Sequence, residues 1–286
     1  MVESGDSTAS LPTWASEPCI MGIDEAGRGP VLGPMVYGCA FCAMSEKKRI
    51  ASLQFADSKT LTEQKREDLF ESIQADDTIG WFVDVIDPRE LSAKMLKRNR
   101  QSLNVISYES AMGLITRTLN EGYSLSEVYV DTVGDSEKYQ ARLTQKFPGI
   151  AFTVTKKADS LFPIVSAASI VAKVTRDRAL KNWAMTEVGT DTGRKFGSGY
   201  PGDPDTKTWL QENKDPVFGF PSIVRFSWST CIPIIAEGGV EVYWEADEDE
   251  DEMPKRKSRT VDVESSAALR HPYFRSRQLQ QVTTRL

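Results

Sequence analysis

The chain has 286 residues, of which 40% are hydrophobic and 27% charged, so it has enough apolar side chains for a substantial core. No apolar run approaches the roughly 20 residues that cross a bilayer, and the N-terminus lacks the regions of a signal peptide, which predicts a soluble, intracellular protein. The formal net charge of −6 does not exclude a nucleic-acid ligand, because seven acids are concentrated at 245–252 and four basic residues follow them by position 259.

Apolar periodicity and turn-forming residues predict alternating strands and helices. Residues 19–24 and 35–42 are typical of strands, and the Gly- and Pro-rich segment between them predicts a hairpin. The best-marked helix start is at Asp87, where an N-cap residue precedes a first-turn proline and Glu90. Further helices are predicted at 62–74, 103–120, 136–147 and 163–183, and further strands at 79–85, 127–131 and 150–155.

This order of elements predicts an α/β fold, a mixed β-sheet flanked by helices, with a helical C-terminal region. In that region a glycine-rich loop at 197–204 leads into a helix that begins at Asp203, and a second helix is predicted at 223–237 with a kink near Pro233. The predicted organisation is a flexible N-terminus at 1–17, a main domain at 18–240, an acidic and basic linker at 241–268, and a C-terminal helix or docking tail at 269–286.

The linker and the tail differ in composition. The linker cannot bury enough apolar surface to order itself, and its basic residues 255–257 fit either a nuclear-import patch or an unspecific basic run. The tail contains Tyr273, Phe274 and Leu279, which is enough apolar surface for a short helix that docks on this domain or on another chain.

Histidine and cysteine usage limits the possible chemistry. The single histidine, His271, lies near the C-terminus, which excludes Ser–His–Asp, Cys–His and His-rich metal sites from the main body. Catalysis there must use carboxylates. Cys39 and Cys42 form a C-x-x-C pattern within a predicted strand, where residues three apart face opposite sides. We interpret them as structural thiols, with a redox pair or a zinc site as the alternative.

Acidic residues at strand ends are the first chemical signal. Asp24 and Asp131 end predicted strands, and Asp159 follows a strand and precedes a helix. A strand end holds a side chain rigidly, while the following loop leaves room for metal and substrate. In a regular strand Glu25 would face away from Asp24, so it can join the same site only if the chain turns there. From spacing alone, helix N-caps and turn formers remain the alternative to a metal site.

Five sequence blocks, in order, resemble the type 2 ribonucleases H, the ribonuclease HII family. They are GIDEAGRGPVLGPMV at 22–36, ADSKTL at 56–61, YVDTVGD at 129–135, KKADSLFPIVSAASIVAKVTRD at 156–177 and GSGYPGDP at 197–204. The acidic linker, the segment 223–228 and HPYF at 271–274 resemble more specifically the catalytic subunit of the heterotrimeric eukaryotic enzymes of this family. That narrower resemblance implies a nuclear protein with two accessory subunits.

The resemblance implies a ribonuclease H-like sheet in which four carboxylates converge on two divalent ions, Mg²⁺ or Mn²⁺. These carboxylates are Asp24, Glu25, Asp131 and Asp159. Mg²⁺ prefers hard oxygen ligands, so no histidine is required. The implied activity is hydrolysis of the RNA strand of RNA/DNA hybrids, and incision 5′ of single ribonucleotides in duplex DNA during replication and repair. Two-metal chemistry would leave 5′-phosphate and 3′-hydroxyl ends.

Such an enzyme must detect a 2′-hydroxyl, the group that separates RNA from DNA. Gly27 and Gly29 lack β-carbons, so their backbone can approach a sugar, while Arg28 can reach a phosphate or shape the turn. By resemblance, Tyr200 stacks on the neighbouring sugar. The alternatives are a plain glycine turn with a surface arginine, and a packing tyrosine.

Three basic residues fall inside matched blocks and are predicted to contact phosphates: Lys59, Lys173 and Arg176. Solvated helix charges, with a Lys173–Asp177 pair, are the alternative for the last two. Two other functions remain open at this stage. One is a related metal nuclease or polynucleotidyl transferase that acts on DNA, and the other is a noncatalytic hybrid-binding or scaffold subunit.

Overall fold

The structure is a computed structural model that describes residues 11–53, 55, 61–185 and 195–240. The predictions for the first ten residues, Lys59, the linker and the C-terminal tail with His271 lie outside these residues. Among the helices that the structure describes, none is long and apolar enough to cross a membrane.

Five strands in the described residues form one sheet: β1 (Cys19–Ala26), β2 (Met35–Ala43), β3 (Gly80–Ile86), β4 (Leu125–Asp131) and β5 (Ala151–Thr155). Their order across the sheet is β3-β2-β1-β4-β5. β2 pairs antiparallel with β1 and with β3, whereas β4 pairs parallel with β1 and with β5. The predicted hairpin and the predicted mixed sheet are confirmed.

The helices of the described residues are α1 (Lys47–Ser52), α2 (Glu63–Gln74), α3 (Pro88–Leu96), α4 (Leu103–Asn120), α5 (Ser136–Lys146), α6 (Ala158–Leu161), α7 (Pro163–Lys181), α8 (Pro204–Glu212) and α9 (Cys231–Ala236). The start of α3 is as predicted, since the Asp87 side chain accepts a hydrogen bond from the backbone N–H of Arg89 at 2.8 Å. The bounds of α4 also match the prediction. The short helices α1 and α6 had no clear signal in the sequence.

Alternate residues of β1 enter different apolar clusters on the two faces of the sheet. Ile23 packs with residues of α4 and α5, whereas Ile20 packs with residues of α2 and α7. Cys39 and Cys42 of β2 also lie on opposite faces of the sheet, Cys39 in the cluster of Ile23 and Cys42 in that of Ile20. Both are buried free thiols. The strand geometry that we inferred for this pair is therefore confirmed.

The helix α7 packs directly on the centre of the sheet. At Gly22 of β1, a β-carbon would lie 2.4 Å from the backbone oxygen of Ile164, and at Gly38 of β2 it would lie 2.8 Å from that of Ala168. Helix and strand backbones are in contact at both points, so any side chain would force them apart. This close approach places the first turns of α7 beside the carboxyl end of β1.

The prediction of a helix at 223–237 is wrong for its first half. Val224 forms an isolated β-bridge with Leu32, and the backbone N–H of Arg225 donates to Val31 O at 2.9 Å. The backbone of this segment thus pairs with the loop after β1 and cannot form helical hydrogen bonds. The helix begins only at Cys231. Pro233 is its third residue, in the first turn, where a missing N–H breaks no helical bond and the predicted kink has no cause.

Candidate active site

Two acidic residues lie side by side on neighbouring parallel strands, at the same end of the sheet. Ile23 of β1 pairs with Val130 of β4, and the next residues along these strands are Asp24 and Asp131. One carboxylate oxygen from each of Asp24, Glu25 and Asp131 lies within 4.8 Å of the other two. The structure therefore brings together three of the four predicted carboxylates in an arrangement that could hold a metal ion.

Glu25 reaches this cluster without the predicted turn. β1 continues to Ala26, and Glu25 pairs with Tyr37 of β2, so its side chain is on the opposite face of the sheet from Asp24. The two acids still meet because they lie at the end of the sheet, where Asp24 Oδ1 accepts a hydrogen bond from the backbone N–H of Glu25 at 2.8 Å. The turn follows at Gly27, whose φ is 77°.

Asp131 and Asp159 are linked through α6. Asp131 Oδ1 accepts a hydrogen bond from the backbone N–H of Ala158 at 2.7 Å, and Asp159 is the next residue. Asp159 is buried, and it is close enough for its charge to raise the pKa of Asp24. It lies outside the closely spaced oxygen group that Asp24, Glu25 and Asp131 form within the described ranges. The fourth predicted carboxylate is thus adjacent to the cluster rather than part of it.

The cluster is electrostatically suited to a cation. Burial raises the pKa of Asp24 from 3.8 to about 7, although a hydrogen bond from Ser169 opposes the shift. Burial likewise raises the pKa of Glu25 from 4.5 to about 8, where the charge of Asp24 adds to the shift and that of Arg28 opposes it. Buried acids that repel one another ionise fully only when a positive charge compensates them. A divalent cation supplies that charge.

The turn after β1 is fixed to α4 through its arginine. Arg28 donates hydrogen bonds from its guanidinium to the Ser107 hydroxyl and to Asn104 Oδ1. These contacts hold the positive charge of Arg28 near Glu25, where it opposes part of the rise in the pKa of that acid. Of the predicted roles for Arg28, shaping the turn beside the acids is the one that these contacts favour.

Tyr200 lies against the same turn, although more than 170 residues separate them in sequence. The backbone oxygen of Gly199 accepts a hydrogen bond from the N–H of Val31 at 2.8 Å, which docks the glycine-rich loop on the loop after β1. A β-carbon at Gly29 would lie 3.2 Å from Tyr200 Cε1, so the ring covers that glycine. The residue is nevertheless 51% exposed and lines an open cleft, so part of the ring is accessible to a ligand.

The two described basic candidates, Lys173 and Arg176, occupy different environments. Both line the same open cleft, but Arg176 is only 9% exposed and packs against Gly27. Its Nη2 donates to the backbone oxygen of Leu32 at 3.4 Å. Arg176 is therefore not a solvated helix charge. Asp177, the residue considered as a partner for Lys173, forms an ion pair with Arg66 of α2 at 3.0 Å.

These groups surround one open cleft of about 1030 Å³, which we call the active-site cleft. Its lining includes Glu25 and the turn at 27–29. Basic and apolar side chains also line it. The basic lining residues are Arg28, Arg66, Lys173 and Arg176, and the apolar ones include Met95, Leu103, Val133 and Trp228.

Arg225 is a residue of the site that our sequence interpretation did not single out. It is fully buried, and burial lowers its pKa from 12.5 to about 9, with the neighbouring Arg176 adding to the shift. Its guanidinium donates to the backbone oxygens of Gly27, Arg28 and Gly33 at 2.6, 3.2 and 2.7 Å. The available signal was an arginine within the otherwise apolar run IVRF at 223–226.

Trp228 completes this support of the turn. Its Nε1 donates to the backbone oxygen of Gly29 at 3.0 Å, and its ring lies 4.7 Å from the guanidinium of Arg225. The backbone oxygens of residues 27–29 all accept hydrogen bonds from the segment 225–228. The turn therefore offers a ligand its N–H groups and the remaining lone pairs of its carbonyl oxygens.

A mixed sheet of this topology, with carboxylates grouped where neighbouring parallel strands end, defines a nuclease of the ribonuclease H-like fold. The comparisons with known proteins agree. The family model described as Ribonuclease HII matches residues 21–231, and the chain belongs to this family. It is therefore an enzyme of the ribonuclease H class.

The relatives extend this likeness to nearly the full chain. The chain is 58% identical to a Ribonuclease H2 subunit of Arabidopsis thaliana, over 97% of this chain and 99% of that protein. It is 49% identical to the corresponding Ribonuclease H2 subunit of Mus musculus, over 92% of this chain and 90% of that protein. The crystal structure of ribonuclease H2 from Pyrococcus horikoshii OT3 superposes with a TM-score of 0.62 at 34% identity, covering 77% of this chain and 98% of that one.

Proposed function

We propose that this chain is a catalytic subunit that hydrolyses the RNA strand of RNA/DNA hybrids and cuts 5′ of single ribonucleotides in duplex DNA. The observation that supports this is the position of the acids next to a glycine turn and an exposed aromatic ring. The carboxylate oxygens of Asp24, Glu25 and Asp131 are grouped, and Glu25 lines one cleft together with the glycine turn and the exposed ring of Tyr200. The carboxylates suit phosphodiester hydrolysis, and the turn and ring suit recognition of one sugar.

The acids are the proposed ligands of two divalent ions, Mg²⁺ or Mn²⁺. Asp24, Glu25, Asp131 and Asp159 would hold the ions, the first three through their grouped oxygens and Asp159 from beside that group. The fit rests on the grouped oxygens and on the burial and mutual repulsion of the acids, which raise the pKa of Asp24 to about 7 and that of Glu25 to about 8 and so favour a bound cation. The ions would supply an activated water and stabilise the leaving 3′ oxygen, which gives 5′-phosphate and 3′-hydroxyl ends.

The turn at 27–29 and Tyr200 are the proposed ribose sensor. Because Arg225 and Trp228 already occupy one lone pair of each carbonyl in the turn, its backbone is rigid before a substrate arrives. The N–H groups and the remaining lone pairs would bind the 2′-hydroxyl. The exposed face of the Tyr200 ring would stack on the next sugar and press it toward the acids.

The basic side chains that line the cleft mark the proposed path of the phosphate backbone. Lys173 is suited to direct phosphate contact, whereas the buried Arg176 contributes a positive potential and supports Gly27. Lys59 stays a predicted phosphate contact, since it lies outside the described residues.

The test uses three duplexes of the same sequence: all DNA, DNA with one ribonucleotide, and a continuous RNA/DNA hybrid. We expect cleavage of the last two with Mg²⁺ or Mn²⁺, none in excess EDTA, and severe loss with Asp131→Asn while hybrid binding is retained. Cleavage of the all-DNA duplex would indicate a DNA-directed nuclease. Hybrid binding without any cleavage in the presence of its partner subunits would indicate a noncatalytic subunit.

We further propose two accessory protein subunits and a nuclear location. Relatives that match nearly the whole chain are named as subunits of Ribonuclease H2, which supports a multi-subunit assembly. The apolar residues of the tail at 269–286 are the proposed docking element. Deleting 265–286 should then weaken co-purification with partner subunits, and normal assembly of the truncated chain would contradict this assignment.

A further inference from the structure

Two buried serines on α7 contact two of the four acids. Ser166 and Ser169 are one helical turn apart, so they lie on the same side of the helix. They are 3% and 0% exposed. The contact of Ile164 with Gly22 fixes this part of the helix against β1, two residues before Asp24.

Ser169 contacts the carboxylate of Asp24. The two side chains are hydrogen-bonded, and because an ionised carboxylate can only accept, the Ser169 hydroxyl is the donor. The other donor to this group is the backbone N–H of Glu25, at 2.8 Å. Donors from a helix and from a strand thus fix the orientation of the Asp24 carboxylate.

Ser166 contacts the segment that carries Asp159. Its hydroxyl donates a hydrogen bond to the backbone oxygen of Asp159 and is also 3.4 Å from that of Phe162. The short helix α6 is thereby attached to the first turns of α7. Asp131 is joined to the same segment through its bond from the backbone N–H of Ala158.

We propose that Ser169 and Ser166 are positioning residues that set the orientation of Asp24 and the place of Asp159 for metal binding. The inference rests on the proposed function, since it assumes that these acids hold ions. The physical reason is that a carboxylate binds a metal ion well only when its free lone pairs already point at the ion. A hydroxyl on a rigid helix achieves this by holding the other oxygen, or the backbone, in place.

Removing such a contact should change the affinity for metal much more than the stability of the fold. Ser→Ala removes one hydroxyl and adds a residue that favours a helix, beside the buried Ala167 and Ala168. We therefore expect a small change in melting temperature. Losing a group that orients a metal ligand commonly weakens metal binding by about 10–100-fold.

Ser110 provides a matched control. It is also a buried serine on a helix, 5% exposed, and its hydroxyl donates to a carboxylate oxygen of Asp84 at 2.6 Å. Asp84 lies on β3 and is not among the acids of the site. Ser110→Ala therefore removes the same kind of hydrogen bond at a place where no metal ligand depends on it.

The experiment is calorimetric titration of Mn²⁺ into the purified full chain without substrate, with melting curves for every variant. We expect Ser169→Ala to bind Mn²⁺ about 10–100-fold more weakly than wild type, Ser166→Ala to be weakened in the same direction, and Ser110→Ala to bind as wild type does. Because Ser169 acts through Asp24, adding Ser169→Ala to Asp24→Asn should weaken Mn²⁺ binding no further.

Two results would overturn the inference while leaving the proposed function intact. One is wild-type Mn²⁺ affinity in both Ser169→Ala and Ser166→Ala. The other is an equal loss in Ser110→Ala, which would show a general effect of removing buried hydroxyls. If the wild-type chain itself binds no Mn²⁺, the metal-dependent function fails, and the inference fails with it.

Discussion

The guanidinium of Arg225 donates a hydrogen bond to the backbone oxygen of Gly27 at 2.6 Å, across almost 200 positions of sequence. The same group bonds to the oxygens of Arg28 and Gly33, so one buried side chain determines the path of the turn beside the acids. A fixed turn matters because a site that must detect one hydroxyl depends on placement to within a fraction of an ångström.

Arg225→Met should therefore lower both stability and activity. It leaves three backbone oxygens without these donors, and a buried acceptor that loses its donor costs about 1–3 kcal/mol. We expect a clear drop in melting temperature and a large loss of cleavage on both the hybrid and the single-ribonucleotide duplex. Thermal melting and initial rates measure the two effects.

The control for this variant is Arg178→Gln. Arg178 forms an ion pair with Glu67 at the surface between α2 and α7, its side chain is 42% exposed, and such pairs contribute little. This change should leave both measurements near wild type. Normal cleavage by Arg225→Met at a temperature where it is folded would contradict the role of Arg225 in fixing the turn.

Gly27→Ala should impair cleavage of both substrates. The residue has a φ of 77°, and a β-carbon there would lie 2.1 Å from Arg176 Nε and 2.8 Å from the backbone oxygen of Pro34. The backbone must shift, and the turn shifts with it. We expect at least a tenfold fall in kcat/KM on each duplex.

Gly113→Ala is the matched control for a change from glycine to alanine. Gly113 lies in α4, and no atom would lie within 4 Å of a β-carbon there. Alanine in a helix interior is better than glycine by roughly 0.5–1 kcal/mol, so the variant should be slightly more stable and fully active. If Gly27→Ala behaved like Gly113→Ala, the turn would not need its glycine.

Tyr200→Ala should slow cleavage at a single ribonucleotide more than cleavage of a continuous hybrid. A lost stacking contact is worth about 1–3 kcal/mol, which corresponds to roughly ten- to a hundredfold in rate. The hybrid offers further 2′-hydroxyls that compensate. Because the side chain is half exposed, the melting temperature should hardly change.

Two variants test the geometry behind this expectation. Tyr200→Phe keeps the ring and should retain most activity. Gly29→Ala adds a β-carbon 3.2 Å from the ring, so it should displace the ring slightly and reproduce part of the selective defect. An equal effect of Tyr200→Ala on both substrates, or none on either, would identify Tyr200 as a packing residue.

Stability without metal should fall as pH rises. The folded-state pKa values of Asp24 and Glu25, about 7 and about 8, exceed their ordinary values of 3.8 and 4.5. Between the ordinary and the raised pKa values the folded chain holds protons that the unfolded chain has released, so this stabilisation is complete below about pH 4 and is lost progressively as the pH rises to 7–8. We expect the melting temperature in EDTA to be lower at pH 8 than at pH 5.5.

Mn²⁺ should oppose the fall of the melting temperature with rising pH. It binds the ionised acids and so stabilises the chain more at pH 8 than at pH 5.5. Asp24→Asn should reduce the pH dependence in EDTA by removing one of the titrating groups. Melting curves at the two pH values, with EDTA and with Mn²⁺, measure all of these effects. A melting temperature in EDTA that rises from pH 5.5 to pH 8 would contradict the electrostatic description of the cluster.

Local sequence determined those features that depend on neighbouring residues. The start of α3 follows from the capping contact of Asp87 with Arg89, and the opposite orientations of Cys39 and Cys42 follow from the two-residue period of a strand. Asp131 is a strand-terminal acid, as predicted, whereas β1 continues two residues past Asp24 to Ala26. Their meeting at one edge required the parallel pairing of β1 with β4.

Tertiary structure decided how distant segments share hydrogen bonds. The segment 223–228 is apolar enough for a helix, but its backbone and Arg225 bind the loop after β1, so it does not form one. Glu25 joins the acids because the sheet ends beside it, which strand periodicity alone could not show. Arg176 has the sequence pattern of a surface charge and is buried because Gly27 packs on it. A local pattern records the preferences of a segment, whereas a buried polar group takes the partner that the fold brings within reach.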